Sequence, residues 1–521
     1  IGMPPPAIGV DLGTTFSAVC FADRGETKVI HNNAGNDITP SVVHFGDVVL
    51  VGEEALKSRK EGGRNTVDNI KRLMGREHDE EAVRKRSWPF EVLRGRNNRV
   101  SVRIDAEQYS PEEISTFILK YLKDITKKYL GEEPVDAVIT VPSNFTNVQR
   151  QETKDAGELA GFNVLQIVNE PTAAALAFCA KHESREKRRV LVYDLGGGTF
   201  DVSIVEIEGR STRVLATDGL TSLGGDDFDI RIYEEAVGRF RDMGIIIKEN
   251  DFVLMDACEQ AKRALSKLNS ARINHIRHGS KGFILTYDTF VDLCEDLFEQ
   301  TITLSDKVIK EANINEKDLS DIVLVGGSTR IRRIMELLKE RFPNTRIRDD
   351  IEPDIVSVAQ GAAILANALS KGEMQKSDVE ANLSSISLVD VTPLSLGLKI
   401  DGDKTSLLIP KNTSCPFESY QLCSNVINYE KSLSIEIVEG ESEAASKNSA
   451  LAMFEIAVFP KPKGKNLIKV IFSIDVNGIL SVRAIDQHTN KEVSITIKSG
   501  KLDENERARM ADQLSRIVQS G

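Results

Sequence analysis

A glycine-rich segment occurs twice in the chain, as Asp11-Leu-Gly-Thr-Thr15 and as Asp194-Leu-Gly-Gly-Gly-Thr199. Each copy follows a short apolar run that predicts a buried strand entering a tight turn. Glycines let the backbone approach a phosphate closely, threonines add hydroxyls, and an aspartate at a strand end can hold a hydrated magnesium ion. The duplication therefore predicts two similar lobes that close on the phosphates of one nucleotide.

A third loop, Gly326-Gly-Ser-Thr-Arg330, also ends an apolar strand and precedes a helical stretch, Ile331 to Arg341. It contains no acidic residue, so it suits the sugar and base end of a nucleotide better than the metal end. A single loop of this kind is most often a plain turn that packs a strand against a helix, but three in this order favour a nucleotide site. The chain lacks the Gly-x-x-x-x-Gly-Lys-Ser/Thr motif, so it is not a P-loop enzyme.

Composition restricts the partners and the compartment. The chain has 521 residues, enough for about three domains. Its net charge of −12 disfavours nucleic acid as the main partner. The six cysteines form no C-x-x-C pair, which indicates reduced core residues, and no apolar run is long enough to span a membrane. We therefore expect a cytoplasmic protein without a membrane segment.

The pattern of the chain changes along its length. Strand-like and helical stretches alternate from about residue 7 to residue 370, which predicts α/β architecture with mixed sheets. Residues 371–387 are polar and indicate a linker. Short alternating runs after Val389 predict an antiparallel β-sandwich of about 110 residues, followed by an amphipathic helix from Asp503 to Val518. The clearest elements are the strands Asp136–Val141, Val190–Tyr193, Ile322–Val325 and Ile468–Ile474 and the helices Pro111–Leu130, Gln149–Ala160, Phe228–Arg241 and Asp256–Leu268.

Six segments together resemble the 70-kDa heat-shock chaperones, and the resemblance covers nearly the whole chain. The segments are Ile8–Thr15, Asn169–Ala175, Val192–Val202, Leu223–Asp229, Ile322–Ile331 and Asp390–Gly397. The resemblance implies an α/β actin-like ATPase domain of two lobes with a duplicated ribonuclease H-like core, followed by an all-β sandwich that binds peptides. It implies an ATPase domain at residues 1–380, a linker at 381–391, the sandwich at 392–500 and the start of a truncated helical lid at 501–521.

The resemblance also implies the chemistry of ATP hydrolysis. Water attacks the γ-phosphorus, so catalysis must come from positioning and charge neutralisation. Asp11 and Asp194 match aspartates that hold Mg²⁺ through its water shell, and Asp201 matches an acid near the transferred group and K⁺. Lys71 matches the lysine that orients the attacking water, which Glu170 supports. From the residues alone, that lysine would be a solvated helix end and that glutamate a turn residue.

The remaining nucleotide contacts implied by the resemblance come from loops and one helix. Glu259, Lys262, Arg263 and Ser266 share one helix face, where Arg can stack on adenine and Lys and Glu can reach the ribose hydroxyls. On spacing alone, this polar stripe would be a solvent-facing surface. The other implied positions are Gly13, Thr14, Thr15, Gly196, Gly197, Gly198, Thr199, Gly224, Gly225, Gly326, Gly327, Ser328, Arg330 and Asp354.

In the sandwich, the resemblance implies an apolar pocket that takes a leucine-like side chain of an extended peptide. Its lining would comprise Leu398, Cys423, Leu433, Ile435 and Ile468. These residues could equally form the sandwich core, and their spacing does not separate the two interpretations. Coupling between the domains is implied for Pro142, Arg150 and Asp390. The implied partners of a monomeric chain are unfolded or extended polypeptides, a J-domain co-chaperone and a nucleotide-exchange factor.

The chain departs from the family pattern at four places. The linker reads Ser385-Ile-Ser-Leu-Val389, so one acidic residue and one apolar anchor are missing; a buried leucine-sized contact is worth about 1.5–3 kcal/mol. Gln166 stands where the family has an arginine that couples the linker and J-domain proteins. Residues 274–292 are shorter than usual, which puts the exchange factor in doubt. Asp401 replaces an apolar residue of the peptide arch, and the lid is nearly absent after Gly500.

Three functions follow as hypotheses. The leading one is an ATP-dependent chaperone that binds exposed hydrophobic segments of unfolded proteins, and the complete catalytic set favours it. The alternative is a lid-poor, weakly coupled ATP-binding relative that serves as a regulatory or scaffolding partner of another chaperone or the ribosome, and the departures favour it. A sugar kinase with the actin-like core is improbable, because nothing resembles a sugar-binding acid and the sandwich would have no role.

Overall fold

The computed structural model describes residues 5–23, 26–60, 65–182, 186–279, 281–348, 356–372, 386–496 and 504–515. Asp354 and residues 373–385 of the expected linker region lie outside the described residues. We call residues 5–372 the α/β region and residues 392–496 the sandwich.

Strands and helices alternate through the α/β region, as the sequence pattern predicts. The strands are β1 (Ile8–Asp11), β2 (Phe16–Asp23), β3 (Glu26–Val29), β4 (Thr39–Pro40), β5 (Val43–Phe45), β6 (Val49–Val51), β7 (Thr66–Val67), β8 (Glu91–Arg94), β9 (Val100–Ile104), β10 (Glu107–Tyr109), β11 (Asp136–Val141), β12 (Asn163–Asn169), β13 (Arg188–Leu195), β14 (Phe200–Glu208), β15 (Ser211–Leu220), β16 (Ser270–Asn274), β17 (Gly282–Thr286), β18 (Asp321–Val325) and β19 (Arg346–Arg348). The helices are α1 (Glu53–Lys60), α2 (Glu81–Arg84), α3 (Pro111–Leu130), α4 (Asn147–Leu159), α5 (Glu170–Lys181), α6 (Gly225–Asp242), α7 (Phe252–Leu265), α8 (Tyr287–Glu311), α9 (Arg332–Arg341) and α10 (Ser357–Ser370).

Two large sheets of the α/β region share one strand order. In the first, β3, β2 and β1 form an antiparallel meander, and β11 and β12 continue it in parallel. In the second, β15, β14 and β13 form the meander, and β18 and β19 continue it in parallel. The two glycine-rich segments therefore follow equivalent strands, β1 and β13, which agrees with the duplication in the sequence.

Two helices, α5 and α10, pack against each other and against strands of the two sheets, at very short distance. A Cβ at Gly361 of α10 would lie 1.7 Å from the carbonyl oxygen of Ala173 in α5. A Cβ at Gly9 of β1 would lie 2.0 Å from the backbone nitrogen of Ala363 in α10. Glycine is needed at both positions, because any side chain would push these backbones apart. This crossing fixes the position of Glu170, the first residue of α5.

The C-terminal part of the chain consists almost entirely of strands. They are β20 (Ser387–Val391), β21 (Leu396–Ile400), β22 (Lys404–Ile409), β23 (Ser414–Cys415), β24 (Phe417–Cys423), β25 (Ser432–Glu439), β26 (Ser449–Ala457), β27 (Ile468–Ile474), β28 (Leu480–Asp486) and β29 (Glu492–Thr496), followed by the helix α11 (Glu504–Ser515). They form sheets in the orders β22-β21-β25-β26 and β24-β27-β28-β29. Leu398 and Ile437 of the first sheet share one apolar cluster with Val470 and Phe472 of the second. The two sheets therefore pack as a sandwich.

Strand β20 joins the two parts of the molecule. It pairs in parallel with β15, where Ser387 is opposite Ser211, and antiparallel with β23, where Asp390 is opposite Cys415. Ile386 and Leu388 are partly buried against the adjoining core. The segment that departs from the family pattern is thus docked as a strand on the α/β region.

Helix α11 packs on α3. We call the parts of the α/β region built on the first and second large sheets the first and second lobes. Met510 is 1% exposed within the core of the first lobe, and Leu514 is partly buried against it. Arg509 donates to Glu113 at 2.5 Å and to Glu107 at 3.1 Å. The described part of the expected lid segment is therefore held by the α/β region.

Candidate functional site

A cavity of about 580 Å³ lies between the two large sheets, where the loops after β1, β13 and β18 face each other. Most of the residues predicted to bind nucleotide line it. They are Asp11, Gly13, Thr14, Thr15, Lys71, Glu170, Asp194, Gly196, Gly197, Thr199, Gly225, Glu259, Lys262, Arg263, Ser266, Gly326, Gly327, Ser328 and Arg330. Gly198, Gly224 and Asp201 do not line it, and Asp354 lies outside the described residues.

The two glycine-rich loops touch each other across this cavity. A Cβ at Gly197 would lie 1.8 Å from Oγ1 of Thr15, and one at Gly198 would lie 2.4 Å from Cγ2 of Thr14. In the third loop, Gly326 has a φ of 82°, and its Cβ would lie 2.4 Å from a carbonyl oxygen at the end of β13. Glycine is thus required where the loops meet, because a side chain would separate them.

Lys71 is the buried cation next to the acids of the cavity. It lies in a 3-10 turn, Ile70–Leu73, that follows Asn69 in the left-handed region with a φ of 54°. The side chain is 4% exposed and forms an ion pair with Glu170. Its Nζ lies 5.8 Å from the centroid of the Phe145 ring. A lysine held this deeply beside a carboxylate is suited to meet a phosphate group.

Two of the aspartates are fixed by hydroxyl groups of the first lobe. The Oγ1 of Thr140, on β11, donates to Asp11 at 3.0 Å. Asp201, on β14, accepts from the backbone nitrogen of Ser143 at 3.0 Å and from its Oγ at 2.6 Å. The second contact crosses between the sheets, so the position of Asp201 depends on how the lobes close.

Burial and mutual repulsion dominate the electrostatics of the acids. Burial, together with the neighbouring carboxylate of Glu170, raises the pKa of Asp11 and of Asp201 to about 7. Burial and the surrounding carboxylates also raise the pKa of Asp194 well above its usual value. Lys71 opposes these effects, but one ammonium group cannot balance four carboxyl groups. Added cations would therefore favour full ionisation of this cluster near neutral pH.

The donor groups in the cavity and directly behind its wall fit a hydrated divalent cation. Among the described residues, no group of three or more His, Cys, Asp or Glu side chains is placed to hold a metal ion directly. Oδ2 of Asp201 and Oγ1 of Thr15 are buried and have no hydrogen-bond partner among the described residues. Oxygen ligands that act through water are typical of Mg²⁺ sites. The acidic cluster thus agrees with outer-sphere binding of such an ion.

Helix α7 supplies the opposite wall of the cavity. Lys262 donates to the carbonyl oxygen of Gly225 at 2.8 Å and to Asp229 at 2.7 Å, so it is tied to α6. Arg263 donates to Glu259 one turn earlier at 2.5 Å, and this pair is more exposed. The polar stripe on α7 therefore faces the cavity, with its lysine already engaged by an aspartate.

Sequence reasoning missed a group of acidic and basic residues in a second pocket, which shares Thr14, Thr15 and Glu259 with the cavity. Arg72 donates to Asp227 at 2.6 Å, and Arg86 donates to the same carboxylate at 3.4 Å. Both arginines belong to the first lobe, whereas Asp227 lies on α6 of the second. Asp229, the partner of Lys262, was also missed. The signal was present in the segment Leu223–Asp229, from which only the glycines were assigned.

Arg150 connects the cavity with the sandwich. The buried guanidinium donates to the carbonyl oxygen of Ser143 at 3.0 Å and to the side chain of Asn169 at 2.6 Å. It also donates to the carbonyl oxygen of Asn477 in the sandwich at 3.4 Å. Pro142, directly before Ser143, accepts from a backbone nitrogen at 3.2 Å in the same turn. The side chain of Arg150 therefore contacts both Ser143, which donates to Asp201, and Asn477 in a hairpin of the sandwich.

Asp390, on β20, completes this connection. It accepts from the amide of Asn169 at 2.8 Å and from Thr172 at 3.0 Å. Gln166, at the position where an arginine was expected, donates to the carbonyl oxygen of Val476 at 3.2 Å. The expected coupling residues therefore lie together, and the glutamine still contacts the sandwich.

The five candidate peptide-lining residues belong to one apolar cluster of the sandwich. Leu398, Ile435 and Ile468 are buried in it, whereas Cys423 and Leu433 are partly buried. Cys423 and Ile468 are paired across β24 and β27. In this conformation the first three residues form sandwich core, which is one of the two interpretations that their spacing left open.

The family comparison matches the chain over almost its whole length. A family model described as Hsp70 protein matches residues 7–520. The chain belongs to the Hsp70 family. The resemblance seen in the sequence is thereby confirmed. Membership of the family supports a chaperone function in general terms. Hsp70 proteins as a family are ATPases that bind ATP and ADP with Mg²⁺. No helix within the described ranges of this Hsp70 protein has both the length and the apolar character to cross a membrane.

Proposed function

We propose that this Hsp70 protein is an ATP-dependent chaperone in which nucleotide in the cavity controls the affinity of the sandwich for extended hydrophobic segments. The observation that carries the proposal is a continuous hydrogen-bonded path. It runs from Asp201 through Ser143, Arg150 and Asn169 to Asp390, and so links the acidic cluster to the strand that leads into the sandwich. Such a path gives nucleotide a physical route to the peptide end.

The proposal divides the chain into four parts. Residues 1–380 are the nucleotide-binding ATPase domain, residues 381–391 the linker, residues 392–500 the substrate-binding sandwich and residues 501–521 the start of a helical lid. Apart from Val148, the apolar cluster of the sandwich contains only sandwich residues, which supports its division from the ATPase domain. Met510 of the last part lies in a core of the α/β region.

The acidic cluster would hold the cations of the bound nucleotide. Asp11 and Asp194 would hold Mg²⁺ through its water ligands, and Asp201 would lie near K⁺. When bound, Mg²⁺ supplies charge neutralisation to the phosphate oxygens. The raised pKa of each aspartate supports this assignment, because a nearby cation is what would keep such buried groups ionised.

Lys71 and Glu170 would position the attacking water. Their ion pair places a cation and a carboxylate together at the wall of the cavity, so the ammonium can neutralise the γ-phosphate while the carboxylate accepts a proton of the water. Positioned donors of this kind are worth about 10²–10³ in rate. Thr14, Thr15 and Thr199 would supply hydroxyls to the β- and γ-phosphates.

Three kinds of partner would act on this cycle. Extended polypeptides would bind the sandwich, and a J-domain co-chaperone would act near Gln166, Arg150 and the docked linker strand. A nucleotide-exchange factor is in doubt, because the expected segment is reduced to the short hairpin β16–β17 and the start of α8. The chain would act as a monomer.

Single-turnover ATP hydrolysis, measured with and without an excess of a leucine-rich extended peptide, tests the proposal. We expect hydrolysis that the peptide accelerates severalfold. Hydrolysis that ignores the peptide would refute the coupling and favour the second candidate, a regulatory or scaffolding partner of another chaperone or the ribosome. The observation that favours this candidate is the exposed Asp401, which puts a charge where the peptide arch of the family is apolar.

A further inference from the structure

Two loops of the sandwich form one surface next to the candidate peptide pocket. We call residues 424–431 and residues 459–467 together the basic lip. The first loop begins after Cys423 at the end of β24, and the second ends at Ile468 at the start of β27. These two residues face each other across the strand pair. The basic lip therefore begins where two of the candidate pocket residues lie.

Asn425 holds the two loops of the basic lip together. Its amide donates to the carbonyl oxygen of Ile427 at 2.9 Å. The same amide donates to the carbonyl oxygens of Lys461 at 3.1 Å and Pro462 at 3.0 Å in the other loop. Its oxygen accepts from the backbone nitrogen of Asn466 at 3.0 Å, and the side chain is 2% exposed. A surface fixed in this way loses little conformational freedom when a ligand binds.

The basic lip carries an excess of positive charge. It contains four lysines, of which three are well exposed, and one acidic residue, Glu430. None of the four ammonium groups forms an ion pair with a described residue. The lysines are Lys431, Lys461, Lys463 and Lys465. Their charges are therefore available to a ligand.

Two acidic residues elsewhere in the sandwich are used within the fold. Asp403 accepts from the hydroxyl of Ser446 at 2.5 Å and from its backbone nitrogen at 2.9 Å. Glu441 accepts from the backbone nitrogen of Ser395 at 2.8 Å and from its hydroxyl at 2.9 Å. These two carboxylates organise loops, and the exposed Asp401 and Glu455 lie outside the basic lip. Within the lip, the four lysines outnumber the single acid, Glu430.

Large apolar side chains lie among the lysines of the basic lip. Val426 is 50% exposed, Ile427 63%, Tyr429 64% and Phe459 69%. Exposed apolar groups beside unpaired cations favour a ligand that is apolar and negatively charged within a few residues. Both features lie on loops that Asn425 joins, so one ligand can contact them together.

We propose that the basic lip selects extended polypeptide segments in which acidic residues flank a leucine-like side chain. The proposal rests on the proposed peptide-binding function and adds the charge of the preferred substrate to it. An extended chain advances about 3.3 Å per residue and places alternate side chains on opposite sides. An acidic residue close to the inserted side chain therefore lies within reach of the lip.

Charge distribution favours a peptide over a nucleic acid or an anionic membrane. The whole chain has a net charge of −12, which repels large polyanions at long range. A peptide with one or two carboxylates meets only the local field of the lip, because salt screens more distant charges within about 8–10 Å. The lysines therefore suit a short acidic stretch.

Matched fluorescent peptides test this preference in the full chain. Three peptides would share one leucine-rich core and carry glutamate, serine or lysine flanks, and anisotropy would give their affinities in ADP. We expect the glutamate peptide to bind about three- to tenfold more tightly than the lysine peptide at low salt, as several exposed ion pairs allow. The difference should shrink at high salt, a measurement that needs no variant.

A charge-reversal variant locates the effect. Lys463→Glu combined with Lys465→Glu should invert the order of the glutamate and lysine peptides. The matched control is Lys310→Glu combined with Lys317→Glu, which makes the same change of net charge on exposed residues of the α/β region. The control should keep the original order.

Three outcomes would overturn the proposal. Equal affinities, or tighter binding of the lysine peptide, would refute the charge preference while leaving the proposed chaperone function intact. Binding of none of the peptides would refute the peptide-binding function itself. Displacement of the glutamate peptide by vesicles of phosphatidylserine or by polyuridylic acid at equal charge would assign the basic lip to a membrane or to RNA.

Discussion

Carboxyl groups are buried in two regions of this molecule, and the two regions satisfy them differently. In the cavity between the two large sheets, a cluster of acids crowds around Lys71. At the contact with the sandwich, Asp390 accepts from Asn169 and Glu439 accepts from Asn147, and both donors are uncharged amides. Added cations can hold the acids of the cavity ionised, whereas the contact offers uncharged donors that suit neutral acids. We expect the first region to depend on cations and the second on pH.

Removal of Lys71 is the strongest test of the cavity. Lys71→Ala takes away the cation that is paired with Glu170, so turnover should fall by about 10²–10³ while nucleotide still binds. Single-turnover hydrolysis and the Kd for ATP would be measured together, with Lys310→Ala as a control on an exposed helix position. Unchanged turnover would contradict the catalytic assignment, and a parallel loss of ATP binding would reduce it to a binding role.

The contact between the glycine-rich loops should have the next largest effect. Gly197→Ala puts a Cβ 1.8 Å from Oγ1 of Thr15, so the loops must separate. Strain of about 1–3 kcal/mol would lower ATP affinity by about 5–150-fold. Gly238→Ala is the matched control, because nothing lies within 4 Å of its Cβ and alanine should stabilise α6. Equal ATP affinity in both variants would show that the loops do not need their close contact.

Local patterns predicted much of the fold. The helix Pro111–Leu130 has the expected bounds, since Ser110 and Glu113 form a capping box at its start and Gly131 ends it. The strands Asp136–Val141 and Ile468–Ile474 also agree residue for residue, because their apolar runs are bounded by turn signals. These signals depend only on nearby residues.

Contacts between distant segments were beyond such patterns. The ion pair of Arg72 with Asp227 joins residues 155 positions apart, and Lys262 meets Asp229 across two helices. The role of Asn425 depends on a loop up to 41 residues away. Nothing in the local sequence marks that asparagine, because its value comes from how two strands bring their loops together. The motif glycines were found because their chemistry is local.

The smallest expected effect concerns Glu439, at the contact between the α/β region and the sandwich. Glu439 is 2% exposed, and burial raises its pKa from 4.5 to about 7. From α4, the amide of Asn147 donates to it at 2.9 Å and the guanidinium of Arg150 is the nearby cation. The Oε2 atom of Glu439 has no hydrogen-bond partner among the described residues. A neutral glutamic acid therefore suits this site better than a carboxylate.

The sign of the pH effect follows from the raised pKa. Docking of the sandwich takes up a proton at Glu439, so docking is favoured at low pH and weakens as pH rises through about 7. Between pH 8 and pH 6 the docking constant should rise about tenfold, or about 1.4 kcal/mol. Energy transfer between dyes on the α/β region and on the sandwich would measure the docking constant.

Glu439→Gln should remove this dependence on pH and keep the sandwich docked at pH 8, because the amide retains the shape of the side chain without the charge. An undiminished pH dependence in that variant would place the titrating group elsewhere and remove the contrast between the two regions.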